Sequence, residues 1–274
     1  MTDERGGALR GGAGDRAPSR RVLLSVDRVA VRFGGITALA GVSFGVADGE
    51  ICGVIGPNGA GKTTLFDAIS GLTRIDGGAI MFDGVRLDAL PAHRIAGLGL
   101  ARTFQNVGLY AGMSVLENVL LGSRWGGMGA ALGAALHLPR IAQREAASRD
   151  AARALLDDLE LGAVADHEAT QLPYGTMKRV EIARALMSRP RLLLLDEPAG
   201  GLAPGEVEAF AALLRRLRAA HGLTILLVEH HMKLVTSLCD HVVVLHLGAT
   251  LADGAPDQVR RDAAVVEAYL GAAA

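Results

Sequence analysis

The sequence predicts an α/β fold: a mainly parallel sheet joined to an antiparallel β part and interrupted by a helical part. Three observations predict it. Short apolar runs at Ile51–Ile55, Arg191–Pro198 and Leu223–Val228 end in glycine-rich or polar residues, as strands buried on both faces do. Between Val22 and Val46 apolar and polar residues alternate instead, the pattern of half-buried strands. From Ile141 to Leu161 apolar residues recur at helical spacing, after a capping box at Ser114–Glu117.

The chain has 274 residues, half of them apolar, which suits one large domain or two closely joined ones. Its net charge is −1, so nothing global steers it toward nucleic acid or an anionic membrane surface. The two cysteines, Cys52 and Cys239, lie in apolar segments and read as buried free thiols of a reducing compartment.

Residues 1–21 are rich in Gly and Arg and read as a disordered arm; no apolar core suited to a signal peptide precedes Val22. Val29, Val31 and Phe33, then Val42, Phe44 and Val46, mark two strands before the Asp48-Gly49 turn. Phe33 precedes Gly34-Gly35 and suits either a base-stacking platform or the core.

Next comes Gly56-Pro57-Asn58-Gly59-Ala60-Gly61-Lys62-Thr63-Thr64, set between the apolar run and a helical pattern that Gly71 closes. This is a phosphate-binding loop. Its glycines let consecutive N–H groups turn inward, the following helix adds the positive end of its dipole, Lys62 reaches the β- and γ-phosphates, and the Thr63 hydroxyl suits Mg²⁺.

Ile80 and Phe82 flank the Asp83-Gly84 turn, and a short helix from Pro91 leads to a strand ending in Arg102-Thr103-Phe104-Gln105-Asn106. A glutamine past a strand's carboxyl end faces the crevice where open α/β sheets bind ligands, although a lone Gln also suits a solvated loop. Ser114-Val115-Leu116-Glu117 reads as a capping box. A helix carrying Ala152, Leu155, Leu156 and Leu159 follows, with Gly162 expected to stop it. The Gly/Ala-rich stretch Trp125–Leu138 between them falls short of the ~20 residues of a spanning helix and reads as a packed insertion or a membrane-surface contact.

Leu172-Pro173-Tyr174-Gly175-Thr176 reads as a turn and cap before an amphipathic helix, Met177–Leu186. The strand after it ends in Asp196-Glu197, where Asp196 would hold Mg²⁺ and Glu197 polarise an attacking water. A helix with Val207, Phe210, Leu213, Leu214 and Leu217 on its buried side ends at Gly222. The next strand closes on Glu229-His230-His231, where His230 is placed to donate to a γ-phosphate and His231 reads as a surface residue. Val242–Leu247, Asp253-Gly254 and a last helix through Tyr269 finish the sheet.

In this order, Phe33, Gly56–Thr64, Gln105, Leu172–Thr176, Asp196-Glu197 and His230 resemble the nucleotide-binding subunit of an ABC transporter over Val22–Gly271. Arg32-Phe33-Gly34-Gly35, Arg102-Thr103-Phe104-Gln105, Leu172-Pro173-Tyr174-Gly175 and Ala268-Tyr269-Leu270-Gly271 look like the ATP-binding subunits of branched-chain amino-acid importers, the LivG type. The resemblance implies a RecA-like P-loop NTPase core with an antiparallel β subdomain and a helical subdomain at about 107–176, leaving 272–274 as a tail. It also implies an ATP hydrolase using ATP and Mg²⁺. Phe33 would stack on adenine, Lys62 and Thr63 would hold phosphate and Mg²⁺, and Gln105 would sense Mg²⁺ and the membrane partner. Glu197 would be the base and His230 the γ-phosphate switch. Leu172–Thr176 would be the signature segment facing ATP held by the opposite subunit. The implied setting is peripheral, on the cytoplasmic face of the inner membrane. Membrane-spanning permease subunits, a second ATPase chain that is a paralogue rather than a copy, and indirectly a periplasmic or extracellular binding protein would be its partners.

Two segments depart from the family pattern, at three positions. Pro173 and Thr176 stand where Ser and Gln are usual, although the Gly175 N–H and the helix beyond remain, and Ala203 stands where an Asp is usual. Two other readings are export of lipopolysaccharide by a similar ATPase and a soluble ABC protein of DNA repair or translation. The single P-loop, the lack of heptads and the lack of cysteine pairs weigh against the second. A GTPase would need an Asn-Lys-x-Asp motif, which is absent.

Overall fold

The computed structural model describes residues 21–105, 107–123 and 139–271. Residues 1–20 of the arm expected at 1–21, Asn106, the Trp125–Leu138 stretch and the 272–274 tail lie outside the described residues; Arg21 is described and pairs with Asp83 at 2.5 Å.

Alternating residues fold into an antiparallel sheet of order β2-β1-β4-β5: Val22–Phe33 (β1), Ile36–Ala47 (β2), Gly77–Phe82 (β4) and Val85–Arg86 (β5). The continuous apolar runs form a six-stranded sheet of order β10-β9-β3-β8-β7-β6. In it Ile51–Ile55 (β3), Leu100–Arg102 (β6), Leu192–Asp196 (β7), Thr224–Val228 (β8) and His241–His246 (β9) run parallel, and Ala249–Gly254 (β10) closes one edge antiparallel.

The period of two along these strands divides the core. Ile51, Leu193, Leu195, Ile225, Leu227 and Val242 face one cluster, filled from the other side by helices. Cys52, Val54, Leu192, Leu194, Leu226 and Val243 face a second cluster, shared with β1, β2 and the helix after β3. Both cysteines are buried free thiols, as expected.

The described helices are Lys62–Ile69 (α1), Ala92–Gly97 (α2), Val115–Leu120 (α3), Pro139–Asp158 (α4), Tyr174–Leu186 (α5), Pro204–His221 (α6), Met232–Leu238 (α7), Pro256–Arg261 (α8) and Ala263–Gly271 (α9). The capping box at Ser114 is present: Glu117 N–H donates to Ser114 Oγ at 3.2 Å and Ser114 N–H to Glu117 Oε2 at 2.7 Å.

Four features differ from expectation. Helix α4 stops at Asp158 rather than at Gly162, because Glu160 takes the left-handed turn (φ 60) and Leu161 N–H bonds back to Leu156 O at 2.7 Å. Helix α5 starts at Tyr174, so Gly175 and Thr176 belong to its first turn; Pro173, extended at ψ 146, is the boundary. The last hairpin turns at Leu247-Gly248, both at positive φ, which leaves Asp253-Gly254 inside β10, and the expected last helix is broken at Asp262 into α8 and α9.

Candidate nucleotide site

Parallel strands deliver their following loops to one edge of a sheet, and here the loops after β3, β8, β7 and β6 are neighbours there. The phosphate-binding loop leaves β3 at Gly56, where an added Cβ would lie 2.1 Å from the Leu245 carbonyl oxygen; no side chain fits. Gly61 caps α1 in the left-handed region (φ 100), and its position also excludes a Cβ, which would meet Ala38 O at 2.6 Å. Strand β2 and the β9–β10 hairpin thus brace the loop from outside, the latter through Gly248 N–H to Ala60 O at 3.1 Å. Asn58, Gly59 and Thr63 face solvent, while Ala60 is buried and Pro57, Gly61 and Thr64 are half-buried.

Lys62 is buried, and its ammonium donates to Gly56 O at 2.7 Å and Pro57 O at 2.9 Å. Burial pulls it below the usual lysine value, while Glu197 and Asp196 nearby act the other way. An ammonium so placed, among carbonyls at a helix start and facing two carboxylates, is a cation poised for phosphate oxygens.

Asp196 ends β7 buried. Arg102, at the end of β6, donates to it at 3.0 Å and to Asp67 of α1 at 2.6 Å, with its guanidinium over the rings of Phe66 and Phe104. Burial pushes the Asp196 carboxyl up; Arg102 opposes that, and Glu197 and Asp67 add to the rise. The next residue, Glu197, sits at φ 46, a region costly for a side chain with a Cβ. Gln105 Nε2 donates to Glu197 Oε2 at 2.8 Å, and His230 Nδ1 lies 3.9 Å from Glu197 Oε1. The structure therefore brings Lys62, Gln105, Asp196, Glu197 and His230 together.

Two predicted positions stand apart. Phe33 is 54% exposed at the end of β1, so it is not the core residue that one reading allowed. Gly175, in the first turn of α5, has Leu202 and Glu206 as neighbours rather than the loop of its own chain. His231 is exposed, as expected.

Sequence reading passed over several residues that shape the site. The Glu229 carboxylate, fully buried, accepts from the N–H groups of Ala199, His230 and His231 and so ties the loop after β8 to the loop after β7. On α5, Lys178, Glu181 and Arg184 hold the backbone of the Gln105 loop: Lys178 Nζ donates to Gln105 O at 3.4 Å, Glu181 Oε1 accepts from Phe104 N–H at 3.2 Å and Arg184 Nη1 donates to Gly108 O at 2.6 Å. Their signal was available: charged residues spaced three apart on the buried face of a helix.

The ABC transporter family model matches residues 39–200. A second model, described as a branched-chain amino acid ATP-binding cassette transporter, matches 249–274. The chain is 43% identical to the high-affinity branched-chain amino acid transport ATP-binding protein BraF of Pseudomonas aeruginosa, covering 92% of this chain and 99% of that protein. To LivG of Escherichia coli K12, of the same description, it is 40% identical over 92% and 98%. A solved ATP-binding cassette of an ABC transporter in its ADP conformation gives a TM-score of 0.80 at 33% identity, covering 91% of this chain and 99% of that one.

The fold and the facing loop and carboxylates are those of a nucleotide-binding ATPase, one that hydrolyses ATP on a P-loop core. The chain belongs to the ABC transporter family, in its group of branched-chain amino acid transport ATP-binding proteins. Among the described residues, no helix is long and apolar enough to cross a membrane.

Proposed function

We propose that this chain energises uptake of branched-chain or related hydrophobic amino acids by hydrolysing Mg²⁺-ATP on the cytoplasmic face of the inner membrane. The observation that carries the substrate class is the match of residues 249–274, the segment around β10, α8 and α9, to the branched-chain family model, added to the printed activities of BraF and LivG. The 22–271 cassette, with 107–176 as its helical subdomain, is the working unit.

Asp196, Thr63 and Gln105 offer a carboxylate, a hydroxyl and an amide oxygen, hard donors that suit Mg²⁺. The chemistry Mg²⁺ supplies there is neutralisation of charge on the β- and γ-phosphate oxygens. The N–H groups of the 56–64 loop, Pro57 excepted, cradle the phosphates, and Lys62 turns from the loop carbonyls to the γ-phosphate. Glu197 accepts a proton from the attacking water as Gln105 releases its carboxylate, and His230 donates to the γ-phosphate. Phe33 stacks on adenine; its exposure at the strand end supports this role.

Permease subunits dock in the groove of about 490 Å³ between α2, β6 and α5, where Leu72 and Phe104 are exposed beside Ala96 and Arg184. A substrate-binding protein acts beyond them and does not touch this chain, and no nucleic acid is involved. A second ATPase chain, a paralogue, closes the site with its own signature segment. Deleting the gene should abolish uptake of radiolabelled leucine, isoleucine and valine, restored by wild type but not by Glu197→Gln. Unchanged uptake of all three in the deletion strain would sink the substrate class.

A further inference from the structure

Three segments of the site meet at one buried cation. Lys178 is 3% exposed, one turn after Tyr174 on α5. Its ammonium lies 3.3 Å from the Glu197 carbonyl oxygen, 3.4 Å from that of Gln105 and 5.5 Å from the centre of the Tyr174 ring. An ammonium held this far from water keeps its partners, because losing them leaves a charge with no solvation. The Glu197 carbonyl belongs to the strained residue at φ 46 and also accepts from Gly200 N–H at 3.0 Å, while Glu197 N–H donates to Val228 O at 3.0 Å. Glu181 and Arg184 grip only the Gln105 side of this arrangement; of the three charged residues on this helix face, Lys178 is the one that also reaches Glu197.

We propose that Lys178 is a positioning residue for ATP hydrolysis, fixing the Gln105 loop and the Glu197 peptide relative to each other and tying both to the first turn of α5. The side chains it positions meet at 2.8 Å, and a displacement of an ångström at a reacting centre is worth up to about a hundredfold in rate. The same ammonium, through Tyr174, links the turn holding Gly175 to the Glu197 peptide of its own chain. The inference rests on reading Glu197 and Gln105 as the hydrolytic pair.

The test uses the full chain, with phosphate release measured on radiolabelled ATP, equilibrium affinity measured with a fluorescent ATP analogue, and melting temperature. Lys178→Met keeps the apolar stem and removes the charge. Its kcat should fall about tenfold or more while ATP affinity stays within about twofold, since the phosphate loop is untouched. A kcat per folded molecule within about twofold of wild type, or equal losses in kcat and affinity accompanied by a lower melting temperature, would show a merely structural lysine and overturn the proposal. If Lys178→Met yields no folded protein, Tyr174→Leu decides: its ring is partly exposed, and a kcat lowered about threefold or more at unchanged affinity supports the link, whereas unchanged kcat overturns it. Glu197→Gln run in parallel separates the two ideas, because full turnover in that variant removes the hydrolytic pair itself, whatever Lys178 does.

Discussion

The two ends of the parallel sheet are made of the same residue types put to different uses. At the carboxyl end, charged groups share partners across loops: Lys62 rests on carbonyls, Gln105 holds Glu197, and Glu197 keeps a strained φ. At the amino end the charges close on one another. Arg191 bridges Asp48 at 3.1 Å and Asp83 at 2.5 Å, and Asp240 accepts from Arg218 at 2.8 Å and from Ile51 N–H at 3.0 Å. His241 lies between Glu50 and Asp253. Closed pairs fix strand ends; open ones leave polar groups free to exchange partners when phosphate arrives. Substitutions of the open groups at the carboxyl end, Lys62, Gln105, Glu197 and His230, should therefore change nucleotide binding or turnover at nearly constant stability, and those of the closed pairs at the amino end the reverse.

The largest expected effect is that of Glu197→Gln, which removes the proton acceptor and should slow hydrolysis about 10²- to 10⁴-fold with ATP affinity retained. Lys62→Ala should instead weaken nucleotide binding. Near-normal turnover in Glu197→Gln, followed by phosphate release, would remove that residue from catalysis and blur the contrast between the two ends.

Next in size is the first turn of α5. In a homodimer both sites would be closed by Pro173, which offers neither hydroxyl nor N–H. One missing charge-assisted hydrogen bond of about 1.5–3 kcal/mol lowers closed-state occupancy or rate about ten- to a hundredfold. ATPase activity should rise in Pro173→Ser and on mixing the wild type with a paralogous chain from a neighbouring gene. Full activity of the unmixed wild type, unchanged by Pro173→Ser, would rule this out.

Phe33→Ala should cost about 1–3 kcal/mol of nucleotide affinity, for ATP and GTP alike, with the melting temperature unchanged because the ring is already exposed. A lowered melting temperature without nucleotide, at unchanged affinity per folded molecule, would return Phe33 to a packing role.

What could be read from the sequence was what lies close together in it. The loop Gly56–Thr64 and the pair Asp196-Glu197 each sit at the end of an apolar run, so strand, turn and chemistry appear in one window. The Arg102 bridge spans 35 residues to Asp67 and 94 to Asp196, and no local pattern announces such a contact. Glu160 was missed for another reason. A glycine two residues on was the better candidate for a left-handed turn, yet Glu160 takes it, its carboxylate paired with Arg216 at 2.8 Å and Arg179 at 3.5 Å. Phe33 continues the alternation of Val29 and Val31, but the strand ends there and more than half of the residue stays exposed.

The smallest expected effect tests the amino end. Asp253 bonds His241 and raises its pKa; burial works against this, and the Asp253 and Glu50 charges add to the rise. A folded-state pKa above the ordinary imidazole value of about 6.5 means that the stabilisation is fully present below about pH 6.5 and is lost as pH climbs through the raised value. Asp253 is partly exposed, which limits the pair to about 0–1 kcal/mol. His241→Gln should therefore lower the urea midpoint at pH 5.5 and leave it nearly unchanged at pH 9, with turnover per folded molecule unaffected at either pH. Asp253→Asn should flatten the same dependence. A stability gap between wild type and His241→Gln that is equal at both pH values would mean the imidazole is held by packing, and a change in turnover would mean the two ends of the sheet are not separate.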